Sequence, residues 1–269
     1  MPDVNVDRRF IFHGSALPFG GRITKRQGQA AHETISGAPA SALSVAGGKH
    51  RATSRGSSYL DVFRWGSTLA HSEGEHIEDG SKRTTVTCSV ADVYALNNPL
   101  VFEADLLKLT LVADHPEAGE PSIVSKEVVF GGTAGMTLDG EPIELKFDND
   151  LEAFPTFALF EKEYQTNQAF FDKYQASITA PNGPPKFGDP LPRTSGGYVH
   201  LSFVQRVRYK KKWRDGNVLS FKGFGSIHFG EVLMKENNRR VTMVRLAMGS
   251  DTGADVTICE SDPNGQWLP

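Results

Sequence analysis

Cysteine, tryptophan and methionine are scarce in this sequence, with 2, 3 and 5 copies in 269 residues. Two cysteines form at most one bridge and cannot build a disulfide scaffold. Cys88 and Cys259 both lie in strand-like apolar runs and are expected as reduced, buried thiols, although one long-range bridge is possible in principle. No apolar run approaches the roughly 18 residues of a membrane-crossing helix. The N-terminal stretch has early acidic residues and no apolar core of the kind that marks a signal peptide, so the expectation is a cytoplasmic protein. Net charge is small too, at −3 with a pI of about 6.2, which argues against a protein that coats polyanions. Turn formers are plentiful, with 27 glycines and 15 prolines, and they exclude a coiled coil or a long-helix protein.

The small net charge is a cancellation. Residues 1–60 carry 8 basic and 3 acidic side chains, +5; residues 61–180 carry 8 and 21, −13; residues 181–269 carry 13 and 8, +5. An acidic middle therefore lies between two basic ends.

The pattern along the chain is mainly β. Residues 1–60 are rich in Gly, Ser and Ala and are read as an N-terminal arm or edge strands, followed by a β-rich domain over 61–269. Within it, Thr84–Leu96 and Leu100–Ala113 are β-runs split by Asn97-Asn98-Pro99. Ile123–Phe130 ends at Gly131-Gly132, and Asp139-Gly140 centres a hairpin over Met136–Phe147. Between Thr156 and Ala176, Phe157, Phe160, Tyr164 and Phe171 recur at helical spacing, with Thr156 as N-cap, which predicts one amphipathic helix. Five prolines in residues 181–192 mark a possible subdomain boundary. Tyr198–Tyr209 alternates as one strand, with only Gln205 out of phase, and Val218–Met234, Arg240–Met248 and Val256–Cys259 continue a meander. Gly223, Gly225 and Gly230 predict bulges or close packing, and Pro263-Asn264-Gly265 reads as a turn. Strands joined by turn-length connections imply an antiparallel β-sandwich or open barrel with one helix over about 156–176.

Motifs for catalysis are sparse. There is no Gly-x-Ser-x-Gly, His-Glu-x-x-His, P-loop or Gly-x-Gly-x-x-Gly. Asp251-Thr252-Gly253-Ala254-Asp255, followed by Val256-Thr257-Ile258, resembles the catalytic segment of retroviral-type aspartic proteases. There is no second Asp-Thr-Gly and only 14 residues follow Asp255, so the segment is read as a hairpin turn over Ser250–Asp255. His71, Glu73, Glu75 and His76 are the densest set of metal-ligand types. On a strand the first three share a face and His76 points the other way, and the Gly, Asp and Ser around them favour a solvated loop. No cofactor is indicated.

The most substantial cluster is basic. Arg206, Arg208, Lys210, Lys211, Lys212 and Arg214 are interleaved with Tyr209 and Trp213. Such a tip can meet an acidic protein face, grip phosphates or an anionic membrane, or serve as solvated charge that guards a strand edge. The leading expectation is a non-catalytic β-rich protein that self-associates, or binds a protein partner, by setting its basic regions against the acidic middle. One alternative is a metal-dependent or hydrolytic enzyme whose dispersed site draws on His13, His71, His76, His200 and His228. The other is a nucleic-acid or anionic-membrane binder acting through residues 206–214.

Overall fold

A computed structural model describes residues 9–26, 29–35, 38–148, 150–179, 185–191, 198–249 and 252–268. In chain order the strands begin with β1 Phe10–Arg26, β2 Gln29–Ile35, β3 Ser41–Ala42, β4 Gly48–Ser54, β5 Ser57–Tyr59, β6 Phe63–Trp65 and β7 Thr68–His76. They continue with β8 Lys82–Asn97, β9 Leu100–His115, β10 Ser122–Phe130, β11 Met136–Leu138 and β12 Glu141–Phe147. Helices α1 Asp150–Ala153, α2 Phe157–Thr166 and α3 Gln168–Tyr174 follow, with a short 3₁₀ turn after them. The chain closes with β13 Ile178–Thr179, β14 Tyr198–Ser202, β15 Val204–Tyr209, β16 Lys212–Asp215, β17 Val218–Phe221, β18 Gly225–Lys235, β19 Asn238–Met248 and β20 Thr252–Trp267.

These strands form two antiparallel sheets, neither closed into a barrel, in a β-sandwich. One runs β13-β14-β18-β19-β20-β1-β2, with β17 on β18 and β3 on β1. The other runs β16-β15-β12-β11-β9-β8-β6-β5, with β10 on β9, and with β7 on β8 carrying β4. One continuous apolar core lies between them. Phe19 of β1 stacks on Trp65 of β6 at 4.4 Å, and buried Asn97 of β8 donates to the carbonyl of Phe224 at 2.8 Å. Cys88 and Cys259, both free and fully buried, also meet across the layers.

A shared crease crosses the first sheet. Phe229 faces Val244 and Glu231 faces Thr242, those two β19 residues face Ile258 and Glu260, and these in turn face Phe19 and Leu17. Gly230, Met243, Cys259 and Pro18 thus occupy one row across four strands. Gly230 and Cys259 have φ of 61° and 58°. A left-handed residue inside a strand reverses the alternation of the pleat. On β18 the buried set changes from Ile227 and Phe229 to Val232 and Met234, and on β20 from Val256 and Ile258 to Ser261. The second sheet repeats the device at Asp92, φ 51°, where β8 changes from Val86, Cys88 and Val90 to Val93 and Ala95.

Several local expectations change. Of the two readings of the N-terminal region, the described residues form strands rather than an arm: β2 and β5 end their sheets, while β1 lies between β20 and β2 with Phe19 and Ile23 fully buried. Its glycines make room, since a Cβ on Gly21 would meet the β20 backbone at Val256, 2.8 Å away. The alternating run 198–209 is two strands in different sheets. Phe203 makes the crossing, its N–H bonded to the carbonyl of Gly230 at 3.1 Å. Gln205 falls out of phase because it is the extra residue of a bulge, with Val204 facing Phe147 and Arg206 facing Lys146. Val218–Met234 is a hairpin, β17–β18, rather than one run. Thr252–Asp255 belongs to β20 rather than to a turn, and Asp251 lies outside the described residues. Pro263-Asn264-Gly265 also continues β20, opposite His13 and its neighbours. Pro263 sits past the last pairing with β19, at Ser261, where only one hydrogen-bonded neighbour remains and a strand accepts proline.

The helical run is divided at Asn167, whose backbone N–H closes α2 on the carbonyl of Glu163 and whose side chain caps α3 through the N–H of Phe170. Thr156 caps α2 as expected, accepting from the N–H of Leu159 at 3.2 Å. Residues 181–184 and 192 of the proline-rich segment lie outside the described residues, 185–191 run without helix or strand, and β13 and β14 on its flanks pair with each other.

Candidate functional site

The basic cluster forms the β15–β16 hairpin, with β16 as the terminal strand of its sheet and all four β16 residues exposed. Alternation divides the cluster. Val207 and Tyr209 turn inward and are buried, the Tyr209 hydroxyl lying 3.5 Å from the Leu138 carbonyl. Arg206 and Arg208 turn outward on either side of Trp213, their guanidinium carbons 5.8 and 6.0 Å from its ring. Both arginines are already engaged: Arg206 with Asp215 at 2.9 Å and Arg208 with both oxygens of Glu144 at 3.0 and 2.9 Å. Lys211, Lys212 and Arg214 have no ion pair among the described residues, and Trp213 is 40% exposed. The tip residues Lys210 and Lys211 have φ of 48° and 62°, the left-handed pair of a type I′ turn that Asn-Gly fills at low cost.

Some charge of the basic ends is neutralised within the molecule. Lys49 bonds Glu73 at 2.6 Å, and Arg208 bonds Glu144, so each joins a basic end to the acidic middle.

The His71–His76 segment is strand β7, not a loop. His71, Glu73 and Glu75 face outward as alternation requires, while His76 lies against the ring of Phe12 at 5.9 Å. Glu73 is held by Lys49 and lies 3.4 Å from His71. Hydrogen bonding from Lys49 outweighs burial and keeps its carboxyl below the usual range. Among the described residues no three His, Cys, Asp or Glu side chains are placed to hold a metal ion.

Two members of the histidine pool do come together. The reversal at Gly230 puts Glu231 on the same outward face as His228 and opposite Thr242, one strand from Arg245. Arg245 grips the Glu231 carboxylate with two bonds, Nε to Oε2 at 2.6 Å and Nη2 to Oε1 at 2.9 Å. His228 Nδ1 lies 3.2 Å and His200 Nε2 3.5 Å from the same oxygen, Oε1. Burial of Glu231 favours the neutral acid, but the bonds from Arg245, His200 and His228 outweigh it and hold the carboxyl well below the ordinary range.

Ser226 lies 2.9 Å from His228 Nε2, which superficially completes a Ser-His-Glu arrangement. His228 Nδ1 lies between Glu231 Oε1, which accepts, at 3.2 Å and Arg245 Nη2, which donates, at 3.1 Å. A serine nucleophile needs Nδ1 to donate to the carboxylate, and Arg245 addresses that same atom. His13 lies on β1, and His71 and His76 lie on the other sheet, so the pool does not converge as a whole.

Glu231 and Arg245 were not singled out from sequence. The available signal was Gly230 inside a strand, because a bulge there moves Glu231 onto the face of His228. A family model described as Domain of unknown function (DUF8256) matches residues 10–235, and the chain belongs to that family. The matched stretch ends at Lys235, before β19 and β20, which complete the middle of the first sheet. Neither the curated proteins nor the solved structures contain a match.

Proposed function

We propose that this member of the family is a non-catalytic β-sandwich that works by association, with the β15–β16 hairpin as its contact surface and an acidic face of a second copy as the first partner. The observation that carries the reading is the tip itself. Lys210 and Lys211 hold left-handed backbone positions where lysine is costly, about 1 kcal/mol or more per residue, so cationic charge is retained against conformational preference. Lys212 and Arg214 extend that charge along an exposed edge strand beside half-exposed Trp213, an aromatic of the type that anchors interfaces. The contact is heterologous, basic hairpin to acidic middle, and such contacts generate rings or filaments.

A nucleic acid or an anionic membrane would use the same cations. We place that reading second, because Arg206 and Arg208 are already occupied by Asp215 and Glu144. Charge reversal at Lys210, Lys211 and Lys212 to Glu tests the proposal. Loss of salt-sensitive oligomers supports it, and wild-type protein that stays monomeric at both low and high salt overturns it.

A further inference from the structure

The last helix, the start of β15 and the outward face of β14 and β18 enclose a cavity of about 370 Å³, remote in role from the hairpin tip. One wall is the Glu231–Arg245 pair with His228. The facing wall comes from the helical segment, where Lys173 Nζ lies 2.7 Å from Asp148 and 2.7 Å from Asp150. The Tyr174 hydroxyl donates to the Asp148 carboxylate at 2.9 Å. His200, half-exposed, stands at the rim with Ser202 and Asn217.

Two features of this cavity narrow its ligand. Each buried carboxylate already has its own cation: Glu231, 8% exposed, has Arg245, and Asp148, 9% exposed, has Lys173. A charged ligand would therefore displace an existing partner, whereas a neutral one would not. The walls also alternate acceptors and donors, carboxylate beside guanidinium and carboxylate beside ammonium, while Ser202 Oγ and Asn217 Nδ2 each already donate to the Phe229 carbonyl. That pattern suits neighbouring hydroxyls, each able to donate and accept. The volume falls in the range of small-molecule sites, roughly 300–1,000 Å³.

We propose that this cavity binds a neutral, hydroxyl-rich small molecule, a monosaccharide or polyol, without cleaving it. Glycoside cleavage by paired carboxylates requires one of them to carry a proton. Arg245 keeps Glu231 ionised, and Asp148 is held by Lys173 and Tyr174. The ammonium of Lys173 is in turn secured: burial works against it, but its bonds to Asp148 and Asp150 prevail and raise its pKa.

The test is calorimetric titration of the full chain with glucose, galactose, mannose and myo-inositol, with inorganic phosphate and choline as charged controls. The expected result is saturable binding of at least one neutral compound and none of either control. Binding should weaken roughly ten-fold in His200→Ala and in Lys173→Gln, the loss of about one hydrogen bond. No saturable binding of any neutral compound to the wild-type protein overturns the proposal. So does a preference for phosphate or choline, or unchanged affinity in His200→Ala with wild-type thermal unfolding. The panel on the wild-type protein decides the matter even if Lys173→Gln fails to fold.

Discussion

Gly230 and Cys259 stand on one row of the sheet, on either side of Met243, and both adopt left-handed backbone conformations. Together they reverse the pleat of β18 and β20 at the same height. On the inner side the reversal keeps the core continuous. On the outer side it brings Glu231 onto the face of His228, within reach of Arg245.

Gly230→Ala tests the crease. Its φ of 61° penalises any side chain, and the added Cβ would meet the Phe203 ring at 3.0 Å and Val204 at 3.1 Å. A loss of about 2 kcal/mol is expected in urea unfolding. Stability equal to wild type would show that the crease does not depend on glycine.

Glu231→Gln takes from the Arg245 guanidinium its close carboxylate, leaving only exposed Asp255 at 3.8 Å, while keeping the shape of the side chain. Arg245 is partly exposed and water recovers part of the loss, so about 2 kcal/mol is expected, again by urea unfolding. The double variant Glu231→Gln/Arg245→Met should lose less than the sum of the single variants, because the uncompensated charge is gone.

Much of this was legible in the sequence, and the misses share a cause. Asp139-Gly140 and Thr156 announced a hairpin and a helix cap because turn and cap chemistry is local. The strand pattern of His71, Glu73 and Glu75 was readable in period, but the surrounding small residues disguised β7 as a loop. β1 was hidden because its glycines answer to the closeness of β20, a tertiary fact. Cys259 carries no local sign of a left-handed residue, so neither the reversal of β20 nor the full length of that strand showed in its pattern. Glu231 was hidden by the same reversal on β18. The bulge at Gln205 left a trace, its break in the alternation, which a single-strand reading treats as an exception, whereas the switch of sheet at Phe203 left none.

Acid should weaken the fold partly through His115. It is 3% exposed beside the ring of Phe10, and burial lowers its pKa from the ordinary 6.5 to about 4, despite the favourable charge of Asp114. The unfolded chain takes up this proton near pH 6.5 and the folded chain only near pH 4, so stability present above pH 6.5 is lost progressively down to about pH 4. The limit is roughly 3 kcal/mol. Urea unfolding across that window should show a shallower decline for His115→Phe than for wild type; parallel curves would remove His115 from the account.

The two lysines of the hairpin tip should trade stability for contact. Lys210→Asn/Lys211→Gly places the preferred residues in a type I′ turn and is expected to raise stability by about 1 kcal/mol in thermal or urea unfolding. The same variant should associate more weakly. A variant that is both more stable and equally associated would mean the lysines are held there for another reason.

Light scattering of the full chain at low and high salt tests association through the hairpin most directly, with wild type beside Lys210→Glu/Lys211→Glu/Lys212→Glu. The account predicts a mass well above the 29.4 kDa protomer for wild type at low salt, falling toward it as salt screens the contact. The reversed variant should remain at the protomer mass throughout. A wild-type mass of one protomer in both conditions, or oligomers unchanged by the reversal, would contradict it.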